Sequence, residues 1–233
     1  MTPREQARLW LKLYQDLGVE AVAIPAPESV RAPAAADRDM ERPAKATALE
    51  QLRGKIGDCR RCGLAEARKH IVFGAGDPAA RLMFVGEGPG ADEDRIGEPF
   101  VGRAGKLLDR IIAAMGLTRE QVYIGNIVKC RPPGNRTPLP DERAMCLPFL
   151  KEQIRIIAPE VIVTLGRTAL EGLLGETVPS ITRARGRWFR AEGVPVLATF
   201  HPAYLLRNEQ AKRPVWEDMQ EVMSRLGLEA PRR

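Results

Sequence analysis

The chain has 233 residues, 44% hydrophobic but only 5% aromatic, which is enough for one full-sized domain with a mostly aliphatic core plus an extension. No run approaches the ~20 apolar residues of a membrane span, and the start MTPREQARLWLKLYQDLG lacks the basic, apolar and small-residue regions of a secretion signal, so a cytoplasmic location is expected. The formal net charge of +6, carried mostly by Arg, suits a polyanionic partner, because Arg binds phosphate bidentately and stacks on bases.

Residues 2–17 place Leu9, Leu13 and Leu17 at helical spacing and predict a short helix. Residues 25–47 are rich in Ala, Pro, Arg and Asp without periodicity, so 1–47 reads as a helix and linker ahead of the main domain. That domain is expected over residues 48–228, with 229–233 as a tail. Within it, residues 81–86, 122–128, 161–165 and 194–200 are short, apolar and rich in β-branched residues, as expected of strands buried on both faces. Helical patterns lie between them at 104–115, 141–157 and 167–174. The alternation predicts an α/β fold: a three-layer α/β/α sandwich around a mostly parallel four-stranded sheet. In such folds the functional loops follow the carboxyl ends of the strands.

Four loops carry residues suited to chemistry. Gly86-Glu-Gly-Pro-Gly-Ala-Asp-Glu-Asp94 follows the first strand, and it matches neither a dinucleotide fingerprint nor a P-loop. Its small residues, Gly88 among them, let a ligand approach the backbone, and Glu87 is placed to orient a water or offset positive charge. In Gly97-Glu-Pro-Phe-Val-Gly-Arg-Ala-Gly105, Phe100 is a candidate stacking platform. The N–H groups from Gly102 and Arg103 onward are candidates to hold a phosphate. Asn126 is an amide within an apolar strand, and an amide reads a base edge with both a donor and an acceptor. His201 precedes Pro202 at the end of another strand, and Leu205, Leu206 and Arg207 resemble an apolar wedge with a phosphate anchor. Which of the two leucines points outward is open.

The chain's four cysteines are spaced Cys59-x2-Cys62 and Cys130-x15-Cys146. In a reducing compartment that pattern argues for metal over disulfides. Four thiolates suit an iron–sulfur cluster or tetrahedral zinc equally, and spacing does not separate them. Either would tie the start of the domain to the loop at 129–146.

GEGPGADED, EPFVGRAGKLLD, NIVKCRPPGNRTPLPDE with Cys146, and HPAYLLRN closely resemble family 4 uracil-DNA glycosylases, in order, from about Cys59 to the C-terminal helix. The resemblance implies a hydrolase that flips uracil out of DNA and cleaves its N-glycosidic bond, initiating base excision repair. By motif, Phe100 would stack on the uracil and Asn126 would bond its O4 and N3–H. His201 would donate to O2, and Glu87 would position the attacking water. Asn135 would support the third motif, and Glu93 would crowd C5 and help exclude thymine. Cys59, Cys62, Cys130 and Cys146 would hold a [4Fe–4S] cluster. The expected partner is uracil-containing DNA, single- or double-stranded, bound by a monomer. A related group uses a His in a basic insertion to bond covalently to DNA; Lys129–Pro138 has neither. Two other classes fit the charge and cysteines: a zinc- or cluster-containing nucleic-acid-binding module without catalysis, and a redox protein.

Overall fold

A computed structural model describes residues 35–175 and 178–229 of the chain. The helix expected at 2–17 and the last residues of the tail lie outside them. The first described element is α1 (Ala35–Ile56), so the part of the expected linker from Ala35 onward is helical instead. Its composition concealed it: the segment is rich in the good helix formers Ala, Arg, Met and Glu, and the buried apolar positions among the described side chains are Leu49, Leu52 and Ile56, near its end. Lys45 fastens the helix by donating to the Ile157 carbonyl at 3.1 Å.

The remaining elements alternate. The strands are β1 (Ala75–Gly76), β2 (Leu82–Gly86), β3 (Tyr123–Asn126), β4 (Val161–Leu165), β5 (Trp188–Ala191) and β6 (Val194–Thr199). The later helices are α2 (Ala91–Ile96), α3 (Arg103–Ala114), α4 (Pro140–Ile157), α5 (Arg167–Leu174), α6 (Ile181–Ala184), α7 (Pro202–Leu205) and α8 (Lys212–Leu226). Among the described residues the sheet has six strands in the order β1-β3-β2-β4-β6-β5. The four expected strands form its parallel centre. The two unforeseen strands flank it antiparallel. β1 is too short to show a pattern. β5 returns into β6 through Glu192 and Gly193, both at positive φ, as a two-residue hairpin of the primed type requires.

Alternate side chains of the parallel strands feed opposite layers. Met83, Val85, Ile162 and Val196 pack with Leu49, Leu150, Ile154 and Leu170 of α1, α4 and α5. Leu82, Phe84, Val163 and Leu197 pack with Leu108 and Ile112 of α3 and with Met219 and Val222 of α8. The result is the expected three-layer sandwich. The chain runs from β2 to β3 on one side and then crosses to β4 on the other, so the order reverses between β2 and β4. The crevice beyond their carboxyl ends is where such a sheet binds ligands.

Candidate active site

A cavity of about 480 Å³ opens at that edge. Glu87 and Gly88 reach it from the end of β2, Asn126 from the end of β3, and His201 from the turn after β6, and Phe100, Glu93, Asn135 and Arg207 line it as well, whereas Gly102, Arg103, Leu205 and Leu206 do not. Residues from four separate loops thus share one wall because parallel strands deliver their carboxyl ends to the same side. A neighbouring cavity of about 280 Å³ shares Glu87, His201 and Tyr204 and extends past Gly166 at the end of β4.

Phe100 and Asn126 lie side by side because residue 86 has no side chain. A Cβ there would stand 2.7 Å from the Phe100 ring and 2.4 Å from Asn126 Oδ1. Asn126 is only 1% exposed, and its buried Oδ1 has no hydrogen-bond partner among the described residues. A buried carbonyl oxygen of that kind costs about 1–3 kcal/mol until a donor reaches it. Its backbone is held firmly: the wholly buried Lys129 donates from Nζ to the Asn126 carbonyl at 3.0 Å and to Gln153 Oε1 at 2.6 Å. Gln153 in turn donates to the Phe73 carbonyl and to the Tyr123 hydroxyl. Burial pushes the Lys129 ammonium down to about 8, with Cys146 acting in the opposite direction.

The His201 ring lies 5.6 Å from that of Phe100, tilted by 31°. Its Nδ1 accepts the Ala203 backbone N–H at 3.0 Å as the N-cap of α7. Burial pushes its pKa down to about 4, with the Glu93 carboxylate pulling the other way. The ring is therefore neutral near pH 7, and its one proton sits on Nε2.

Other expected residues take different parts. Glu93 lines the cavity, but its carboxylate is already engaged: Oε1 accepts the N–H groups of Val101 and Gly102, each at 2.9 Å, and Oε2 accepts that of Gly90 at 3.1 Å. It ties the Phe100 loop to the glycine-rich loop. The Gly102 N–H is thereby spent and is not free to hold a phosphate, which corrects the expectation for that group. Arg103 is exposed at the start of α3 and does not reach the cavity. Asn135 sits at φ +56 with Oδ1 accepting from Arg131 at 2.7 Å. Leu205, expected at the DNA surface, is 1% exposed and packs in the core beside α3, whereas Leu206 is 36% exposed. Tyr204, 41% exposed, lines both cavities and was not singled out beforehand. Only the turn of α7 reveals that it faces the site.

On the other side of Lys129, all four cysteines line one narrow cavity with Ile56, Leu64 and Phe149. Donors approach the sulfurs: the Lys129 N–H to Cys146 Sγ at 3.2 Å, Arg68 Nη1 to Cys130 Sγ at 3.5 Å, and Arg61 Nη1 to Cys59 Sγ at 3.5 Å. Among the described residues no three His, Cys, Asp or Glu side chains form a closed set able to hold a metal ion as they stand. Burial pushes the Cys130 thiol up to about 11 and raises that of Cys146, against the pull of Arg68 and Lys129 respectively.

The sequence profile of the uracil DNA glycosylase superfamily matches residues 73–220. The type-4 uracil-DNA glycosylase of Thermotoga maritima is 48% identical over 181 residues, which span 76% of this chain and 93% of that protein. The type-4 uracil-DNA glycosylase of Sulfurisphaera tokodaii is 44% identical over 182 residues, 75% of this chain and 83% of that protein. That of Archaeoglobus fulgidus is 40% identical over 190 residues, 78% and 96% of the two chains. With a cavity that joins a glycine-flanked Phe and Asn to a neutral His at the carboxyl edge of the sheet, the chain belongs to the uracil-DNA glycosylase superfamily and, within it, to the type-4 enzymes.

Proposed function

We propose that the chain extrudes uracil from DNA into the cavity at the β2/β4 edge and hydrolyses its N-glycosidic bond, leaving an abasic site for base excision repair. The observation that carries this reading is the buried Oδ1 of Asn126 beside the Phe100 ring, without a hydrogen-bond partner among the described residues. Uracil offers N3–H to that oxygen and O4 to the amide nitrogen. Cytosine offers a bare N3 and an amino group, leaving groups mispaired at about 1–3 kcal/mol each. Stacking on Phe100 offsets part of the cost of extrusion, a few kcal/mol.

As the C1′–N1 bond breaks, its electron pair leaves with uracil and the charge spreads to O2. The Nε2–H of neutral His201 donates there, and one well-placed donor at developing charge contributes about 2.7–4 kcal/mol. Glu87 accepts a hydrogen bond from the attacking water and offsets positive charge on the sugar. The water oxygen bonds to C1′ and releases a proton, and the uracil anion is protonated in solvent. Glu93, held by three backbone N–H groups, shapes the floor of the base pocket. Leu206 enters the stack and Arg207 meets phosphate, while Asn135 steadies the third loop.

Cys59, Cys62, Cys130 and Cys146 are proposed to ligate a [4Fe–4S] cluster. The reading rests on their shared cavity, the N–H···S donors around it and the family. The cluster would supply a structural staple between the end of α1 and the segment that carries Asn126 and Asn135. The enzyme is proposed to act as a cytoplasmic monomer on single- and double-stranded DNA; among the described residues no helix is long and apolar enough to cross a membrane.

The test is incubation of purified protein with oligonucleotides carrying one uracil, single-stranded or opposite G, followed by alkaline cleavage of abasic sites. Excision from uracil with none from cytosine or thymine is expected. Tight DNA binding without excision would instead favour a binding module.

A further inference from the structure

Phe100 holds an unusual backbone. Its φ is +53, a left-handed conformation that costs a non-glycine residue free energy and persists only where neighbours enforce it. The enforcement is visible on both sides. At Gly105 in the first turn of α3, a Cβ would stand 1.8 Å from the Phe100 carbonyl oxygen, so only glycine admits that carbonyl. A second hold comes from Arg119, in the 3₁₀ turn that precedes β3. Its Nη1 donates to the Phe100 carbonyl at 3.2 Å and to Asp109 Oδ1 at 2.9 Å, and its Nη2 donates to the Pro99 carbonyl. One guanidinium thus spans two successive carbonyls of the strained segment, and a carboxylate on α3 orients it.

We infer that Arg119 is a positioning residue for base recognition: it clamps the Pro99–Phe100 carbonyls so that the Phe100 ring is preset beside Asn126 and His201. The inference rests on the reading of Phe100 as the platform for uracil. Arg119 itself does not line the cavity, so it acts only through the backbone it holds. A planar fork suits the task because its donors are fixed relative to one another, and charge-assisted bonds are the stronger kind. The ring occupies space that Gly86 leaves open, since a Cβ there would stand 2.7 Å from it, and rotation of the Pro99–Phe100 peptide would carry the ring away from that space. Without the clamp the enzyme would have to order the loop each time uracil entered, so the loss should fall on base affinity.

Two measurements test this. The first is inhibition of excision by free uracil in Arg119→Gln, Phe100→Leu and the double variant. Each single change is expected to weaken uracil binding by about tenfold, the scale of one lost base–aromatic stack. The double variant should be no worse than Phe100→Leu alone, because both changes remove the same contact. The second is the ¹⁹F spectrum of protein labelled with fluorophenylalanine, the Phe100 resonance being the one missing in Phe100→Leu. Arg119→Gln should shift or broaden that resonance and leave the other five of the chain's six in place. Arg119→Lys keeps the charge beside Asp109 but cannot span two carbonyls, and it should behave like Arg119→Gln. Wild-type behaviour of the Lys variant, an unmoved Phe100 resonance, or additive losses would overturn the clamp. Undiminished uracil affinity in Phe100→Leu would sink the stacking reading and the inference with it. A loss in Phe100→Leu with none in Arg119→Gln would sink the clamp alone.

Discussion

The Ala203 backbone N–H donates to Nδ1 of His201 at 3.0 Å, and this one bond decides which imidazole nitrogen is left to donate. With Nδ1 accepting, the proton of the neutral ring lies on Nε2. In the proposed mechanism the same turn that caps α7 would thus prepare a donor for the leaving base, and burial keeps the ring from taking up a second proton until the pH nears 4.

His201→Ala should slow single-turnover excision by about 10²–10³-fold, the effect of losing one preorganised donor, while DNA binding changes little. The pH dependence has a definite sign. The folded-state pKa is lowered from 6.5 to about 4, so the neutral donor persists as pH falls through 6.5 and is lost only near 4. The stability linked to it runs the same way: it is fully present above 6.5 and declines between 6.5 and 4, where the unfolded chain binds the extra proton. The ratio of wild-type to His201→Ala rates should then be flat from pH 8 to about 5. A fall in that ratio centred at 6.5 would reject the buried neutral imidazole.

Gly86→Ala tests the shared space of the base pocket. The added Cβ would come 2.4 Å from Asn126 Oδ1 and 2.7 Å from the Phe100 ring, so the ring or the amide must shift. A displacement on the ångström scale costs about 10²-fold in rate, and excision should drop by that much. Gly54→Ala is the control: it lies in α1 with none of the described residues within 4 Å of the new Cβ, and it should raise stability by about 0.5–1 kcal/mol without touching the rate. Excision by Gly86→Ala at the wild-type rate would show that the pocket is looser than its geometry.

What could be read in advance, and what could not, divides by physical reach. Phe100, Asn126 and His201 stood out because each is a polar or aromatic residue at the end of an apolar strand or in a glycine- and proline-rich loop. Such information is local. The role of Glu93 is not: its carboxylate meets N–H groups from residues 90, 101 and 102, a convergence that no spacing displays. Arg119 reaches back some 20 residues to the Phe100 loop for the same reason. The β5–β6 hairpin was hidden because Glu192 takes a conformation more often assigned to Gly or Asn. Leu205 and Leu206 are adjacent and chemically identical, so only the phase of a short helix separates core from surface.

The cysteine cavity makes an analytical prediction. Protein purified without oxygen should be brown and should carry about four iron and four sulfide per chain, as a cysteine-ligated cluster requires. Arg68, 6% exposed and bonded to Cys130 Sγ, should matter to it: Arg68→Gln should bleach faster in air than the wild type. Colourless, active protein with one zinc per chain would replace the cluster with a single ion.

The two leucines of α7 give opposite predictions from neighbouring positions. Leu205 is 1% exposed and packs with the α3 side of the core, so Leu205→Ala should cost about 2–5 kcal/mol of stability, read as a lower melting temperature. Leu206 is 36% exposed and lies in sequence between Tyr204 and Arg207, which line the cavity, so Leu206→Ala should barely change the melting temperature. Its effect should appear on substrate instead. A duplex must be unstacked before uracil can leave it, and an apolar wedge offsets part of that cost of a few kcal/mol. A single strand presents no such stack. Leu206→Ala should therefore lose about tenfold or more on duplex uracil substrates and little on single strands, with the loss smaller at a U·G mismatch than at U·A, because the mismatch is easier to open. Matched single-turnover rates on the three substrates measure this directly. Equal losses on all three would reject the wedge. A duplex-specific loss in Leu205→Ala, without one in Leu206→Ala, would mean that α7 turns its other face to DNA.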